Sequence, residues 1–167
     1  MRLWTVRVGA GAVSVVSRPL GDELLVSELT EIREAGVDVL VSLLERTELP
    51  LAGLVDEELA APFVGLAFHH LPTADQTPPD CAEPTLTLVS ELAGRVLAGA
   101  HVAAHCHAGH GRSPALAAAV LVMTGLSAQE AMEALSHARG RTGPHRRAQR
   151  EWVRWIAEAH QQRSSPS

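Results

Sequence analysis

From Val37 to Leu44 the chain runs almost without interruption through branched and aliphatic residues. A strand with one wet face alternates apolar and polar side chains, whereas a run that does not alternate is what a strand buried on both faces requires. Helices must then cover both faces of the sheet, so this segment alone points to an α/β layer structure with a mainly parallel sheet. The flanking segments agree with that reading. Leu3 to Val8 and Ala12 to Val16 read as short strands around the Gly9-Ala10-Gly11 turn, and Asp22 to Ala35 as a helix stopped by Gly36. After Pro50 a short helix is predicted over Leu54 to Ala61 and a strand over Val64 to His69. Four prolines between Leu71 and Pro84 exclude a helix there. Helix returns from Glu83 to Ala98, followed by a short buried strand, His101 to Ala104, and an apolar helix from Ser113 to Thr124. Ser127 and Glu130 form a capping box for the next helix, and a last one spans Arg146 to His160. The expectation is one domain over residues 1–160, a central sheet flanked by helices, and a disordered tail over residues 161–167.

Composition narrows the partners. A chain of 167 residues, 46% hydrophobic and 20% charged, is in the ordinary range for one globular core. The formal charge of −5 argues against a general affinity for nucleic acid or anionic membrane. No apolar run approaches the roughly 18 residues of a membrane helix. The apolar stretch Val8 to Val16 behind Arg2 and Arg7 has the look of a signal peptide, but the alternation from Leu3 to Val8 favours a strand. A soluble, cytoplasmic monomer is expected. Two cysteines, Cys81 and Cys106, make no disulfide framework in a chain of this length.

The chemistry concentrates in residues 105–113, His-Cys-His-Ala-Gly-His-Gly-Arg-Ser. They link a buried strand to an apolar helix, at the strand's carboxyl end where α/β sheets gather their ligands. Amides at the start of the Ser113 helix lack intrahelical acceptors and face whatever the loop encloses, which suits an anion. Gly109 and Gly111 let the loop curl with its N–H groups inward, and Arg112 adds a planar fork matched to two phosphate oxygens. Cys106, at the base of this positive field, is placed to act as the nucleophilic thiolate. Ser113 can donate a hydrogen bond to the sulfur. His107, Ala108, Gly109, His110 and Gly111 are the expected phosphate cradle with Arg112, and His105 is expected to fix the loop through hydrogen bonds. Taken alone, a cysteine before an apolar helix is a core residue more often than a nucleophile. The complete loop reverses that reading.

This stretch resembles the HCxxGxxRS signature of the protein tyrosine phosphatase superfamily. The wider chain, including Gly36 to Leu44 and Leu71-Pro72-Thr73-Ala74-Asp75, is similar to small bacterial single-domain dual-specificity phosphatases. The resemblance implies a cysteine-dependent phosphatase that hydrolyses phosphotyrosine, with phosphoserine and phosphothreonine as further substrates, through a phosphocysteine intermediate. It also implies a general acid on a mobile upstream loop, a role that falls to Asp75 with Asp80 in reserve, and a water-orienting glutamine that Gln149 resembles. Arg146 and Arg147 depart from the usual pattern in that region, and so does Pro114 after the Arg-Ser pair.

Neither cofactor nor metal is expected, since the loop supplies its own positive charge; His105, His107 and His110 as metal ligands would tie up the thiolate. The arginines from Arg139 to Arg150 read as a solvated surface, or else as a steering field for phosphorylated substrates. Cys81 is a candidate resolving cysteine. The expected partner is a phosphorylated protein, with a phosphoinositide, nucleotide or RNA 5′ phosphate as the alternative substrate and a silent phosphate-binding module as the alternative role.

Overall fold

The chain lays its first two strands, β1 (Leu3–Val8) and β2 (Gly11–Val16), against each other as an antiparallel hairpin, with Trp4 opposite Val15 and Val6 opposite Val13. The structure is a computed structural model that describes residues 1–164. β2 then pairs in parallel with β5 (His101–His105), β5 with β3 (Val39–Ser42) and β3 with β4 (Ala67–His70). The resulting five-stranded order is β1-β2-β5-β3-β4, with every residue of β3 and β5 buried. That burial is what the unalternating run at 37–44 demands. Ladder pairing covers only its middle; Val37, Leu43 and Leu44 are buried without joining it.

Side-chain alternation along the strands builds two cores. Val39, Val41, Val102 and Ala104 pack beneath α4 (Glu83–Leu97), α5 (Arg112–Met123), α6 (Ala128–Arg139) and α7 (Arg147–Ser164). Leu40 and Ala103 point the other way, into a core closed by α1 (Leu25–Glu34), α2 (Leu49–Ala52) and α3 (Glu57–Phe63). The two layers approach the sheet closely. A Cβ at Gly11 would stand 2.1 Å from the Val96 carbonyl oxygen, so the start of β2 can abut the end of α4 only as glycine.

Local signals explain most boundaries. Ser127 Oγ accepts from the Glu130 amide at 3.2 Å while Glu130 Oε2 accepts from the Ser127 amide at 2.8 Å, the reciprocal cap expected of that pair. Three segments differ from the sequence reading, and the first is the strand expected over Val64 to His69, which begins only at Ala67 and runs to His70 because Gly65, with φ of 85°, sits in a turn that follows α3. The short helix expected over 54–61 is α3, displaced to 57–63, and an unforeseen turn of helix, α2, precedes it and is ended by Gly53 in a left-handed φ of 67°. At the other end of the chain α7 continues to Ser164, so residues 161–164 are helical rather than a disordered tail. Arg163 pairs with Glu83 at 3.0 Å, fastening the end of α7 to the start of α4. Residues 165–167 lie outside the described residues. Among the described residues, no helix is long and apolar enough to cross a membrane.

Candidate active site

β5 ends at His105 and α5 begins at Arg112, so the intervening loop sits at the carboxyl end of the central strand. Cys106 is buried at its base. Gly109 adopts a left-handed φ of 67°, a conformation that turns the loop back on itself and brings its own amide within 3.2 Å of Cys106 Sγ. The Ser113 hydroxyl stands 3.2 Å from the same sulfur. Two hydrogen-bonding groups, one from the middle of the loop and one from the first turn of α5, thus converge on one atom, an arrangement that stabilises negative charge there.

Arg112 ties this loop to its surroundings. Its Nη1 donates to Glu48 Oε2 at 2.6 Å, to the Thr73 carbonyl at 2.9 Å and to the Leu43 carbonyl at 3.3 Å, while Nη2 donates to Glu48 Oε1 at 3.0 Å. Glu48 therefore grips the outer end of the guanidinium in a two-point contact. The other edge, carrying Nε–H and one Nη2–H, is left to face the pocket. Burial works against this charge, but the Glu48 hydrogen bond and the fields of Cys106 and Asp75 outweigh it and hold the guanidinium above its ordinary value. Reciprocally, the hydrogen bond from Arg112 holds the Glu48 carboxyl below its own.

The contact with Thr73 also places the proline-rich loop. Thr73 donates to the Leu43 carbonyl at 3.2 Å, and further along Gln149 Nε2 donates to the Thr77 carbonyl at 3.2 Å. Between these anchors lies Asp75, solvent-exposed, with Oδ1 3.5 Å from Arg112 Nη2. Asp80 is occupied elsewhere: its Oδ1 accepts from the Ala82 amide and the Thr85 hydroxyl at the start of α4. Gln149 is buried over the loop, so close that a Cβ at Gly111 would stand 2.6 Å from its amide nitrogen.

A pocket of about 370 Å³ collects Cys106, Arg112, Asp75 and Gln149, with Ala108, His110 and Gly111 from the loop. Gln76, His145 and Arg146 complete its wall. His107 and Gly109 are not among the residues that line it. His107 turns toward Arg18, whose Nη1 lies 2.9 Å from its Nδ1, beside a neighbouring pocket, and Gly109 is buried behind the loop. Cys81 is exposed and free, as Cys106 is free.

Comparison with known proteins decides what this geometry belongs to. The family model described as the polymorphic toxin system DSP-PTPase phosphatase (Tc-R-P) matches residues 15–126, most of the chain. The chain belongs to that phosphatase family. The solved structure of Tk-PTP in its active form is 30% identical, with a TM-score of 0.68 over 87% of this chain and 91% of that one. Kinase associated phosphatase, in a structure with its catalytic site cysteine replaced by serine, superposes with a TM-score of 0.78 at 17% identity, covering 96% of each chain. PTPMT1 in complex with PI(5)P superposes at 0.73 with 23% identity, covering 97% of this chain and 99% of that one. No curated protein matches. As a member of the dual-specificity and tyrosine phosphatases, the protein has a cysteine active site, with Cys106 and Arg112 separated by the five residues 107–111.

Several parts of this phosphatase site escape a sequence reading. His105 Nε2 lies 2.7 Å from Glu57 Oε1, both side chains fully enclosed, so the loop's first residue is held by a carboxylate from α3. Glu48 is a second unforeseen partner, and Arg139 a third. Read from sequence as part of a solvated arginine surface, Arg139 is instead buried, donating through Nη2 to the Gly109 carbonyl and lying 5.8 Å from the centroid of the Trp4 ring. An arginine at a helix end carries no local mark of burial, and the ring it lies over, Trp4, comes from the far end of the chain. Burial first, and then the charges of Arg141, Arg139 and His145, push the His110 imidazole below its ordinary value. Its Nε2 is accordingly free to accept from Arg141 Nη1. Among the described residues, no group of three or more His, Cys, Asp or Glu side chains could hold a metal ion.

Proposed function

We propose that this chain hydrolyses phosphomonoesters, phosphotyrosine first and phosphoserine or phosphothreonine with it in proteins, through a phosphocysteine intermediate. The observation that supports this most is the convergence of the Gly109 amide and the Ser113 hydroxyl on Cys106 Sγ, in a pocket that also holds the free edge of Arg112. A phosphoryl group seated there receives two N–H bonds from that edge and further bonds from loop amides, which stabilise the charge on its equatorial oxygens. The Cys106 thiolate donates an electron pair to phosphorus as the P–O ester bond breaks. Asp75, in its acid form, passes its proton to the leaving oxygen. In the second step a water oriented by Gln149 attacks phosphorus, Asp75 takes up its proton, and the S–P bond breaks to regenerate the thiolate with help from the Ser113 hydroxyl. His107, Ala108, Gly109, His110 and Gly111 serve as the cradle, either by lining it or by holding its backbone.

One observation favours a second reading of the substrate. The pocket wall contains no Phe or Trp to clasp a phenyl ring, and His110, His145 and Arg146 stand around it. A phosphomonoester carried on a polar, anionic scaffold, such as a phosphoinositide or nucleotide, suits that wall.

The test is turnover of p-nitrophenyl phosphate, a phosphopeptide panel and phosphoinositides by reduced protein without added metal. Wild type should turn over, Cys106→Ser should be inactive, and Asp75→Asn should be slowed most on substrates with poor leaving groups. Binding of phosphate by a protein that hydrolyses none of these substrates would replace the enzyme reading with a binding module.

A further inference from the structure

The two buried arginines at the loop differ in one respect. Arg112 has a carboxylate on its outer end, whereas Arg139 makes no ion pair and, with Nε and Nη1 enclosed and without hydrogen-bond partners among the described residues, spends its one hydrogen bond on a backbone carbonyl. An enclosed cation without a counter-ion is costly to keep, and beside the Trp4 ring Arg139 has a single polar contact to offset that cost. That contact is the Gly109 carbonyl. The Gly109 amide meanwhile bonds Cys106 Sγ, so this residue is clamped at both ends.

The consequence lies one bond further on. In a planar trans peptide the carbonyl of one residue and the amide of the next point in opposite directions. Arg139 does not line the pocket, whereas His110 does. Turning the Gly109 carbonyl out toward Arg139 therefore turns the His110 amide in, toward the space above Cys106. Glycine at position 109 has no side chain to oppose the reverse rotation, so the backbone needs something external to choose between the two orientations. Burial first and then the charge of Arg141 disfavour the charged form of Arg139, and the field of Cys106 favours it.

We infer that Arg139 is a positioning residue that holds the Gly109–His110 peptide in the orientation that presents the His110 amide to a bound phosphoryl group, and that its uncompensated charge adds to the attraction for that anion. This rests on the phosphatase reading of the loop, but its test does not require turnover. Inorganic phosphate binding is measured by calorimetry on the full chain, and the His110 amide is followed by nitrogen-15 NMR, in wild type, Arg139→Met and Arg139→Lys. Phosphate should shift the His110 amide proton of wild type strongly downfield. Arg139→Met should bind phosphate about 10- to 100-fold more weakly, the range for one hydrogen bond to a charged group, and should lose that shift. Its melting temperature should stay level or rise, because methionine fills similar volume without an enclosed charge. Arg139→Lys, which keeps a cation and a donor, should recover part of both the affinity and the shift.

Phosphate affinity within twofold of wild type in Arg139→Met, or an unchanged His110 shift, overturns the inference. A fall in melting temperature that accounts for the lost affinity and is not reversed by lysine does so too, since Arg139 would then be a packing residue. A wild-type protein that binds phosphate with the expected shift but hydrolyses nothing removes the enzymatic reading and leaves this one standing.

Discussion

β5 carries a buried histidine at each end, and the two are treated differently. At the amino end, His101 Nε2 lies 2.6 Å from the Ser14 hydroxyl, which in turn lies 2.8 Å from Thr5 Oγ1. The nearest carboxylate, Asp38, receives the His101 amide at 2.9 Å and is paired with Arg33 at 3.0 Å on the half-exposed rim. At the carboxyl end, His105 is tied directly to Glu57, Arg112 to Glu48, and Arg139, among the described residues, to no carboxylate. Neutral hydroxyls satisfy a polar group at modest cost, while enclosed ionisable groups are tolerated where something must be gained from them. The sheet keeps its inward-facing charge chemistry at one end only.

Perturbations of the two ends should separate accordingly. The largest effect is expected from Arg112→Lys: one ammonium cannot hold Glu48 and two phosphate oxygens together, and kcat/KM on p-nitrophenyl phosphate should fall about 10²- to 10³-fold. Next come matched deletions. Glu57→Ala strands His105, and Ser14→Ala strands His101, so each should cost about 1–3 kcal/mol in urea unfolding, but only Glu57→Ala should also lower kcat/KM. Equal activity losses in the two would erase the distinction between the ends. The smallest effect concerns pH. Burial, with Arg7 adding to it, holds His101 below its ordinary value of 6.5. The unfolded chain therefore binds the proton more readily, so this histidine's contribution is complete above about pH 6.5 and fades as pH falls below it. His101→Gln should flatten that part of the stability curve and leave turnover unchanged.

The sheet and the loop were legible for a local reason. The unalternating Val37–Leu44 run, the glycines at 109 and 111, the Ser127-Glu130 cap and the spacing from Cys106 to Arg112 all act within a few residues of themselves. The supports were not legible, because their meaning depends on distance. Glu57 meets His105 across 48 positions and Glu48 meets Arg112 across 64. Nothing in Glu-Leu-Pro or Asp-Glu-Glu marks which acid will be enclosed; only the stacking of α2 and α3 under the carboxyl end of the sheet decides it. The same holds for Arg139, whose neighbours Arg141 and Arg146 remain exposed. The resemblance puts Asp75 first with Asp80 in reserve, and what the sequence does not show is that Asp80 spends its Oδ1 on the start of α4 while Asp75 lines the pocket.

One feature of α5 bears on how this molecule can breathe. From Arg112 to Val122 every residue is buried, with Ala115, Ala117, Ala118 and Ala119 letting neighbouring elements approach from all sides. A helix with no wet face has nowhere to rotate or slide, so its amides should be among the last in the protein to exchange with deuterated solvent. The floor of the pocket is then the most rigid part of the structure, built on the same helix that carries Arg112 and Ser113. The walls are less enclosed: Asp75 and His145, both solvent-exposed, line the pocket from segments outside α5. Backbone amides of these wall segments should therefore exchange faster than those of α5, an order that exchange rates measured along the chain would check.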